Sequence, residues 1–402
     1  MTLQEAVEHT LQTNPEVRAA VHELKARGHE VRQARAAYLP SVDVDAGYGQ
    51  EVRNAPATGN EDVDLQRREL GLSAEQMLFD GFAATTEVNR QKARVESAQF
   101  ELAALSEELA LRTARVYLAV LRHAELLDLA RQTLWEHQNI HDQMQLRLKT
   151  GTGSKADFDQ IEARLALANA NMIVAQNNFA DAQSAFHRVT GLYPTLESMS
   201  VPASLATLPE SRQLALDQAL VQHPVLLGAK ADTEAARQQY KAAASNYYPR
   251  ITLEADKRWD DNIGGIEGND EDLIVAVRLR YNLFSGGADR ARRKQTAALV
   301  EESKDVRNNS RRQIIESLNL SWNAYDALNA QYAFLQKHVS AAEATKEAYR
   351  EQFNIGRRTL LDLLNTENEV TESRKALINA NIDRILAHYR ILSAMGTLVE
   401  SL

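Results

Sequence analysis

The sequence predicts a mainly α protein with a small β part, made of two tandem structural repeats. Asn14-Pro15 returns as His223-Pro224 and Tyr38-Leu39-Pro40 as Tyr247-Tyr248-Pro249, both shifted by 209 residues. Leu78-Phe79-Asp80-Gly81 returns as Leu283-Phe284-Ser285-Gly286 at a shift of 205, which then holds through Gly151/Gly356, Asp157/Asp362 and Gly191/Gly396. A register kept that long marks duplication of one unit, and the repeat is the object to explain. Two further signals give its content: stretches free of Pro and Gly with heptad spacing, and short segments that alternate with period two.

Composition is that of long helices, with 6% aromatic and 25% charged residues. Mean hydropathy is -0.41. No apolar run is long enough for a transmembrane helix. Net charge is -9 without a basic block, which argues against a nucleic-acid partner. Cysteine is absent, which fits an exported protein and many cytosolic ones alike. Met1 to Ala6 opens straight into a helical pattern with no signal peptide, so the expectation is either a cytosolic protein or a chain that begins after a cleavage site.

The first repeat is expected over 1–190, a linker over 191–212 and the second repeat over 213–402. Each opens on a helix, 3–37 and 213–246, with one internal proline, and Pro40 and Pro249 stop these helices. Period two follows. Val42, Val44, Ala46 and Tyr48 alternate with Asp43, Asp45, Gly47 and Gly49; Leu70, Leu72 and Ala74 alternate with Glu69, Gly71, Ser73 and Glu75. The second copy sets Ile251, Leu253 and Ala255 against Thr252, Glu254 and Asp256, then Leu273 through Tyr281 against Ala276, Arg278, Arg280 and Asn282. Hairpins are therefore expected over 41–79 and 250–284, with polar loops at 53–66 and 260–271.

Long helices are expected over 84–148 and 288–354. Val88, Val95, Leu102, Leu109 and Val116 recur every seventh residue, as do Leu318, Tyr325, Tyr332 and Val339. Sustained heptads mean helices packed side by side, and ~65 residues make a rod of about 100 Å. Each rod stops at a glycine turn, Gly151 and Gly153 in one copy and Gly356 in the other, where glycine supplies the left-handed cap. Ser154 with Asp157, and Thr359 with Asp362, read as capping boxes that start return helices over 155–189 and 360–398.

Four strands do not close a barrel, and their edges would stay open. One face is apolar and the other carries Asp, Glu and Arg, the alternation of outer-membrane barrels. Closure then needs several chains, and three would give a trimeric 12-stranded transmembrane β-barrel continued by an α-helical barrel.

In order and twice over, these features resemble the TolC family of outer-membrane exit ducts across essentially the whole chain. The resemblance is carried by the duplicated helix–Pro–hairpin–helix unit, the paired Leu-Phe-Asp/Ser-Gly segments, the tip from Phe353 to Asp362, and the close at Ser393-Ala394-Met395-Gly396-Thr397-Leu398. It implies a homotrimer in the bacterial outer membrane with a periplasmic tunnel. It further implies docking through a periplasmic adaptor (membrane fusion) protein onto an inner-membrane ATP-binding-cassette or proton-driven transporter. Phe79-Asp80-Gly81-Phe82, with Tyr48-Gly49-Gln50, is similar to the type I protein-secretion branch, whose cargo here could be a large adhesin. Drug or metal efflux is the alternative.

The resemblance also implies a closable tip. Arg358 takes the position of a linking arginine and Asp157 that of its acidic partner. Phe353 stands where the family has a tyrosine, Asp362 would form a ring of carboxylates under threefold symmetry, and the neutral Asn365 stands where a second acidic ring can occur. Arg357 joins this gating set, and the turns at Gly151, Gly153 and Gly356 are candidates for adaptor docking. Read from spacing alone, capping suffices to explain Asp157 and Asp362, while Arg357 and Arg358 sit near a helix start, where positive charge is unfavourable. Asp43, Asp45, Glu254, Asp256, Arg278 and Arg280 are expected to line a wet lumen. Trp259 and Tyr48 fit an interfacial aromatic girdle or ordinary packing. His137 and His141 have the spacing of a metal pair, but the second copy has Ala342 and Lys346 there, so surface or packing roles are expected. No nucleophile–base set, metal cluster or phosphate loop stands out, so neither catalysis nor a cofactor is expected. A soluble coiled-coil scaffold is the remaining rival, and it leaves the matched strands unexplained.

Overall fold

The computed structural model describes residues 1–202 and 206–402; residues 203–205, part of the expected linker, lie outside the described residues. The elements in order are helices α1 (Leu3–Thr13) and α2 (Pro15–Arg35), strands β1 (Ser41–Arg53) and β2 (Val63–Phe79), and helices α3 (Ala83–Lys149) and α4 (Lys155–Thr190). Then come helices α5 (Arg212–Gln222) and α6 (Pro224–Ala242), strands β3 (Arg250–Asp261) and β4 (Asn269–Arg280), and helices α7 (Ala288–Asn354), α8 (Leu360–Met395) and α9 (Leu398–Ser401). Among the described residues no helix is long and apolar enough to cross a membrane.

The expected opening helices, 3–37 and 213–246, are each broken in two. Asn14 and His223 are extended, with ψ 130° and 124°. The following proline disfavours helical backbone in the residue before it. At the first break Asn14 takes over as a cap: its Oδ1 accepts from the Glu16 N–H at 2.8 Å, and its Nδ2 donates to the Val189 carbonyl at 2.9 Å. Both helices also end early, in 3-10 turns over Ala36–Tyr38 and Ser245–Tyr247.

The compact units are not the two sequence halves. One comprises Met1–Val21, Glu101–Leu226 and Ser310–Leu402; the other comprises His22–Phe100 and Leu227–Asn309. Each draws on both repeats, and in the second β2 of one copy pairs with β3 of the other.

The second unit holds that sheet, an antiparallel meander in the order β1-β2-β3-β4. Its strands run 12–17 residues, longer than the ten or so suggested by alternation, and its connecting loops shrink accordingly. Val42, Val44 and Ala46 lie opposite Ala74, Leu72 and Leu70. The row continues through Ala255, Lys257 and Trp259 to Val275, Leu273 and Glu271. Each strand passes into a helix or receives one through a tight turn. At the end of β2, Asp80 caps α3 by accepting the Ala84 N–H at 2.6 Å. Phe79, Phe82 and Tyr248 pack edge to face there. After β4, Leu283 and Phe284 are left 85% and 83% exposed.

The first unit is helical. Its main core gathers Leu3, Val7, Tyr117, Leu118, Phe186, Ile385, Tyr389, Leu392 and Leu398. The Tyr117 hydroxyl, inside this core, donates toward the Met1 and Ser200 carbonyls at 3.1 and 3.0 Å and accepts the Ser200 N–H at 3.1 Å. Glu107 is buried and accepts the N–H groups of Leu398 and Val399 at 2.8 and 3.0 Å, which starts α9. Burial pushes its carboxyl above the ordinary value, against the pull of these donors.

Gly81 and Gly286 occupy the matched turns at φ +69° and +65°. A Cβ on Gly81 would lie 2.5 Å from the Ser245 carbonyl oxygen, whereas one on Gly286 meets nothing within 4 Å. Gly286→Ala should therefore cost only the left-handed strain, about 1–2 kcal/mol. Gly81→Ala adds a backbone clash and should lower the thermal unfolding midpoint further in the same circular-dichroism melt.

Candidate functional site

Two regions carry the sequence candidates, the hairpin tips and the charged face of the sheet. At the first tip Gly151 is left-handed, φ +73°. The Thr152 and Gly153 N–H groups return to the Arg147 carbonyl at 2.9 and 3.0 Å. Gly153 is not left-handed; its role is space, since a Cβ there would press on Arg147 backbone at 3.2 Å. At the second tip Gly356 has φ +77°, and the Arg357 N–H reaches the Gln352 carbonyl at 2.8 Å. Both turns are helix endings in which the chain satisfies its own orphan carbonyls.

The two expected capping boxes differ. Around Asp362 the box is complete: its N–H donates to Thr359 Oγ1 at 3.2 Å, and its carboxylate accepts from the Thr359 N–H at 3.2 Å and hydroxyl at 2.9 Å. Around Asp157 only half forms. Its N–H donates to Ser154 Oγ at 3.1 Å, but its carboxylate takes the Ser154 hydroxyl at 2.8 Å rather than the backbone N–H. The side-chain and backbone hydrogen bonds from Thr359, then the Arg358 charge, hold the Asp362 carboxyl below the usual range.

Arg358 donates Nε to Gln352 Oε1 at 3.0 Å and lies over the Tyr349 ring at 4.1 Å. Within one chain it makes no ion pair with Asp157 among the described residues. Arg357 is exposed, as is Asn365. Phe353 is 5% exposed and packs in the tip core with Ile140, Met144, Ile161, Leu360, Leu363 and Leu364, under the Arg147 guanidinium at 4.7 Å. Its burial makes it a packing residue of this hairpin pair. His137 is buried on the Thr133 carbonyl at 2.8 Å, and His141 packs at 5.2 Å from Phe158. No group of metal-ligating residues occurs among the described residues.

One cluster near the tip escaped the sequence reading. Glu367, whose side chain is 5% exposed, accepts from Lys346 Nζ at 3.0 Å and Arg350 Nη2 at 2.8 Å. Both cations also reach Glu136, at 3.4 and 2.5 Å, so α3, α7 and α8 are tied by one ionic network. Burial opposes the charge on Arg350, but the two carboxylates outweigh it and raise its pKa. A signal was available: Leu360, Leu363, Leu364, Glu367 and Val370 form one helical stripe, and a carboxylate on an apolar stripe needs a partner.

The register of the sheet puts Asp43, Asp45, Glu254, Asp256, Arg278 and Arg280 on one face, as expected. Glu51, Arg67, Glu69, Glu75, Arg250 and Arg258 join them. Arg278 binds Glu254 at 2.7 Å, Arg67 binds Glu51 at 3.0 Å and also Glu69, and Arg250 reaches Glu75 at 3.6 Å.

The other face is apolar and open. Val42, Val44, Leu273, Val275, Val277 and Leu279 are 63–66% exposed. The run from Ile251 to Trp259 covers about 26 Å along the strand, which at the ~35–45° strand tilt of outer-membrane barrels rises about 20 Å, most of their roughly 25 Å apolar band. Tyr48 and Trp259 stand at its loop end, where Lys257 leans over Trp259 at 5.3 Å toward Glu271. Tyr38, Tyr247, Tyr248 and Tyr281 are half exposed around the other end, a grouping not expected from the sequence.

The profile described as "OEP: Outer membrane efflux protein" matches residues 6–192 and 215–397. The chain belongs to the outer membrane efflux protein family. It is therefore an outer-membrane channel protein and not an enzyme. It is 26% identical to outer membrane efflux protein BepC of Brucella suis biovar 1, over 98% of this chain and 85% of that protein. It is 27% identical to proteases secretion protein PrtF of Dickeya chrysanthemi, over 100% of this chain and 89% of that one. In fold it is similar to the outer membrane protein VceC of Vibrio cholerae, at TM-score 0.82 and 19% identity, over 98% and 96% of the two chains.

Removing one partner from a buried ionic network leaves charge uncompensated. Glu367→Ala should destabilise the α7–α8 hairpin by about 3 kcal/mol, seen as faster proteolysis within it. The lowered Asp362 pKa has a defined sign: its cap contributes above the ordinary carboxylate value and is lost as pH falls through the lowered folded value. Protection of the amides at the start of α8, measured against their intrinsic exchange at each pH, should therefore fall in strong acid, and Asp362→Asn should remove that loss of protection.

Proposed function

We propose that three copies of this chain form the exit duct of a tripartite export system, and that its cargo is protein delivered by a type I secretion pump. The observation that carries the duct is the sheet: its apolar face is exposed, its charged face pairs only in part within the chain, and its two edge strands are free. Such a sheet is stable where lipid meets the apolar face and other copies meet the edges. The helical unit then supplies the periplasmic tunnel, and its tip turns at Gly151, Gly153 and Gly356 are the surface for an adaptor.

Protein secretion is supported by the likeness to the proteases secretion protein PrtF over the full chain and by the Phe79–Phe82 turn. A second reading, small-molecule efflux, is supported by the similar likeness to efflux protein BepC. Expression in a cell lacking its own duct separates them. Restored export of a protein substrate without restored drug resistance supports secretion, and the reverse result assigns the chain to efflux.

In this duct the tip closes through Arg358 of one copy and Asp157 of the next, with Asp362 a turn further in. Each exposed pair contributes only about 0.2–1 kcal/mol, so symmetry biases the closed state without locking it. Arg358→Ala should raise single-channel conductance in a planar bilayer. Unchanged conductance would discard this gate while leaving the duct itself in place.

A further inference from the structure

We infer that Arg280 and Arg278 on β4 of one copy face Asp43 and Asp45 on β1 of the next, and that these ion pairs set the register in which the barrel closes. The inference rests on the trimeric duct proposed above and goes further, because threefold closure by itself leaves the register open.

The two free edges are complementary in charge. β1 and β4 end the sheet on either side. On β1 the charged face presents Asp43 and Asp45, and on β4 it presents Arg278 and Arg280. The side chains of Asp43, Asp45 and Arg280 make no hydrogen bond or salt bridge among the described residues. Arg278 is held by Glu254, yet its side chain remains 56% exposed. Three of the four charges at this end of the edge strands, Asp43, Asp45 and Arg280, are thus left without a side-chain partner within the chain among the described residues, while their neighbours Glu254 and Glu75 are paired.

Period two removes half of the possible registers. A slip by one residue would set charged side chains of β4 against apolar ones of β1. Of the even registers, the one with Arg280 opposite Asp43 puts Arg278 opposite Asp45 and Asp270 opposite Arg53. It sets Ala276 and Ile274 over Gly47 and Gly49, where no β1 side chain competes for the space. On the other face it sets Leu279 on Val44, Val277 on Ala46 and Val275 on Tyr48. Its one like-charge pair, Asp272 with Glu51, is softened because Arg67 already binds Glu51 at 3.0 Å. Moving two residues one way sets Arg280 against Ser41 and Asp270 against Glu51. Moving two the other way sets Arg278 against Gly47 and carries Asp43 past the end of β4.

The chain has no cysteine, so paired cysteines report the register directly. Opposed residues in an antiparallel pair lie about 4.5 or 5.5 Å apart at Cα, within disulfide reach; diagonal neighbours lie about 7–8 Å apart. In the full chain assembled in outer membranes, Asp43→Cys with Arg280→Cys should give oxidised dimers and trimers on a non-reducing gel. Ser41→Cys or Asp45→Cys with Arg280→Cys should cross-link far less. A stronger cross-link from either shifted pair overturns the register. No cross-link from any pair, with the unmodified chain still sedimenting as a trimer, overturns the edge pairing and spares the duct. A monomeric unmodified chain overturns both. Arg280→Asp alone should cause loss of the trimer band, and adding Asp43→Arg should restore it. A trimer band unmoved by the single reversal would show that these charges do not choose the register.

Discussion

A sheet of four strands leaves two rows of backbone N–H and C=O groups without partners, here on β1 and β4. In water such edges invite aggregation, and in lipid each unpaired group costs several kcal/mol. The apolar face raises the stakes, since Val42, Val44, Val275 and Val277 are each about two-thirds exposed. A single chain cannot bury that face, because the opposite face is lined with carboxylates and guanidinium groups. Lipid on one side, water on the other and a neighbouring strand at each edge is the environment that satisfies all three demands. The exposed aromatic side chains at both ends of the apolar band and the lean of Lys257 over Trp259 fit the same environment.

The helical unit meets a different demand. Long antiparallel helices bury little area per residue, so their register has to be specified at points along their length. Tyr117 and Glu107 do this where the first and last segments of the chain meet α3. Near the turns the Glu136–Lys346–Arg350–Glu367 network does it for α3, α7 and α8. A buried ionic network adds less stability than an apolar core of the same volume but is intolerant of misalignment. It suits a hairpin that has to hold its register at the very end of a long lever.

Duplication and function are related through the sheet. β2 and β3 belong to different repeats and pair without a break from Arg68 to Met77. The repeat is therefore not a unit that stands alone; each compact unit is completed by the other copy. Identical residues meet different surroundings in the two copies. Gly81 is pressed against the Ser245 carbonyl while Gly286 stands in open space, and Phe79 is packed while Phe284 is exposed.

Much of this was legible without coordinates. Heptads, glycine stops and strict alternation are local signals, each set by a periodicity of 3.5 or 2, so the long helices, the strands and the division into apolar and charged faces follow from residues a few positions apart. The breaks at Asn14 and His223 are also local, a consequence of the prolines that follow. What only the tertiary structure decided depends on residues far apart in the chain. These are the pairing of β2 with β3, the burial of Phe353 away from solvent, and the meeting of Glu136 with Glu367 through two shared cations. Periodicity shows which face a side chain takes, but not which other face it meets, because that choice is made by the summed packing of segments hundreds of residues apart.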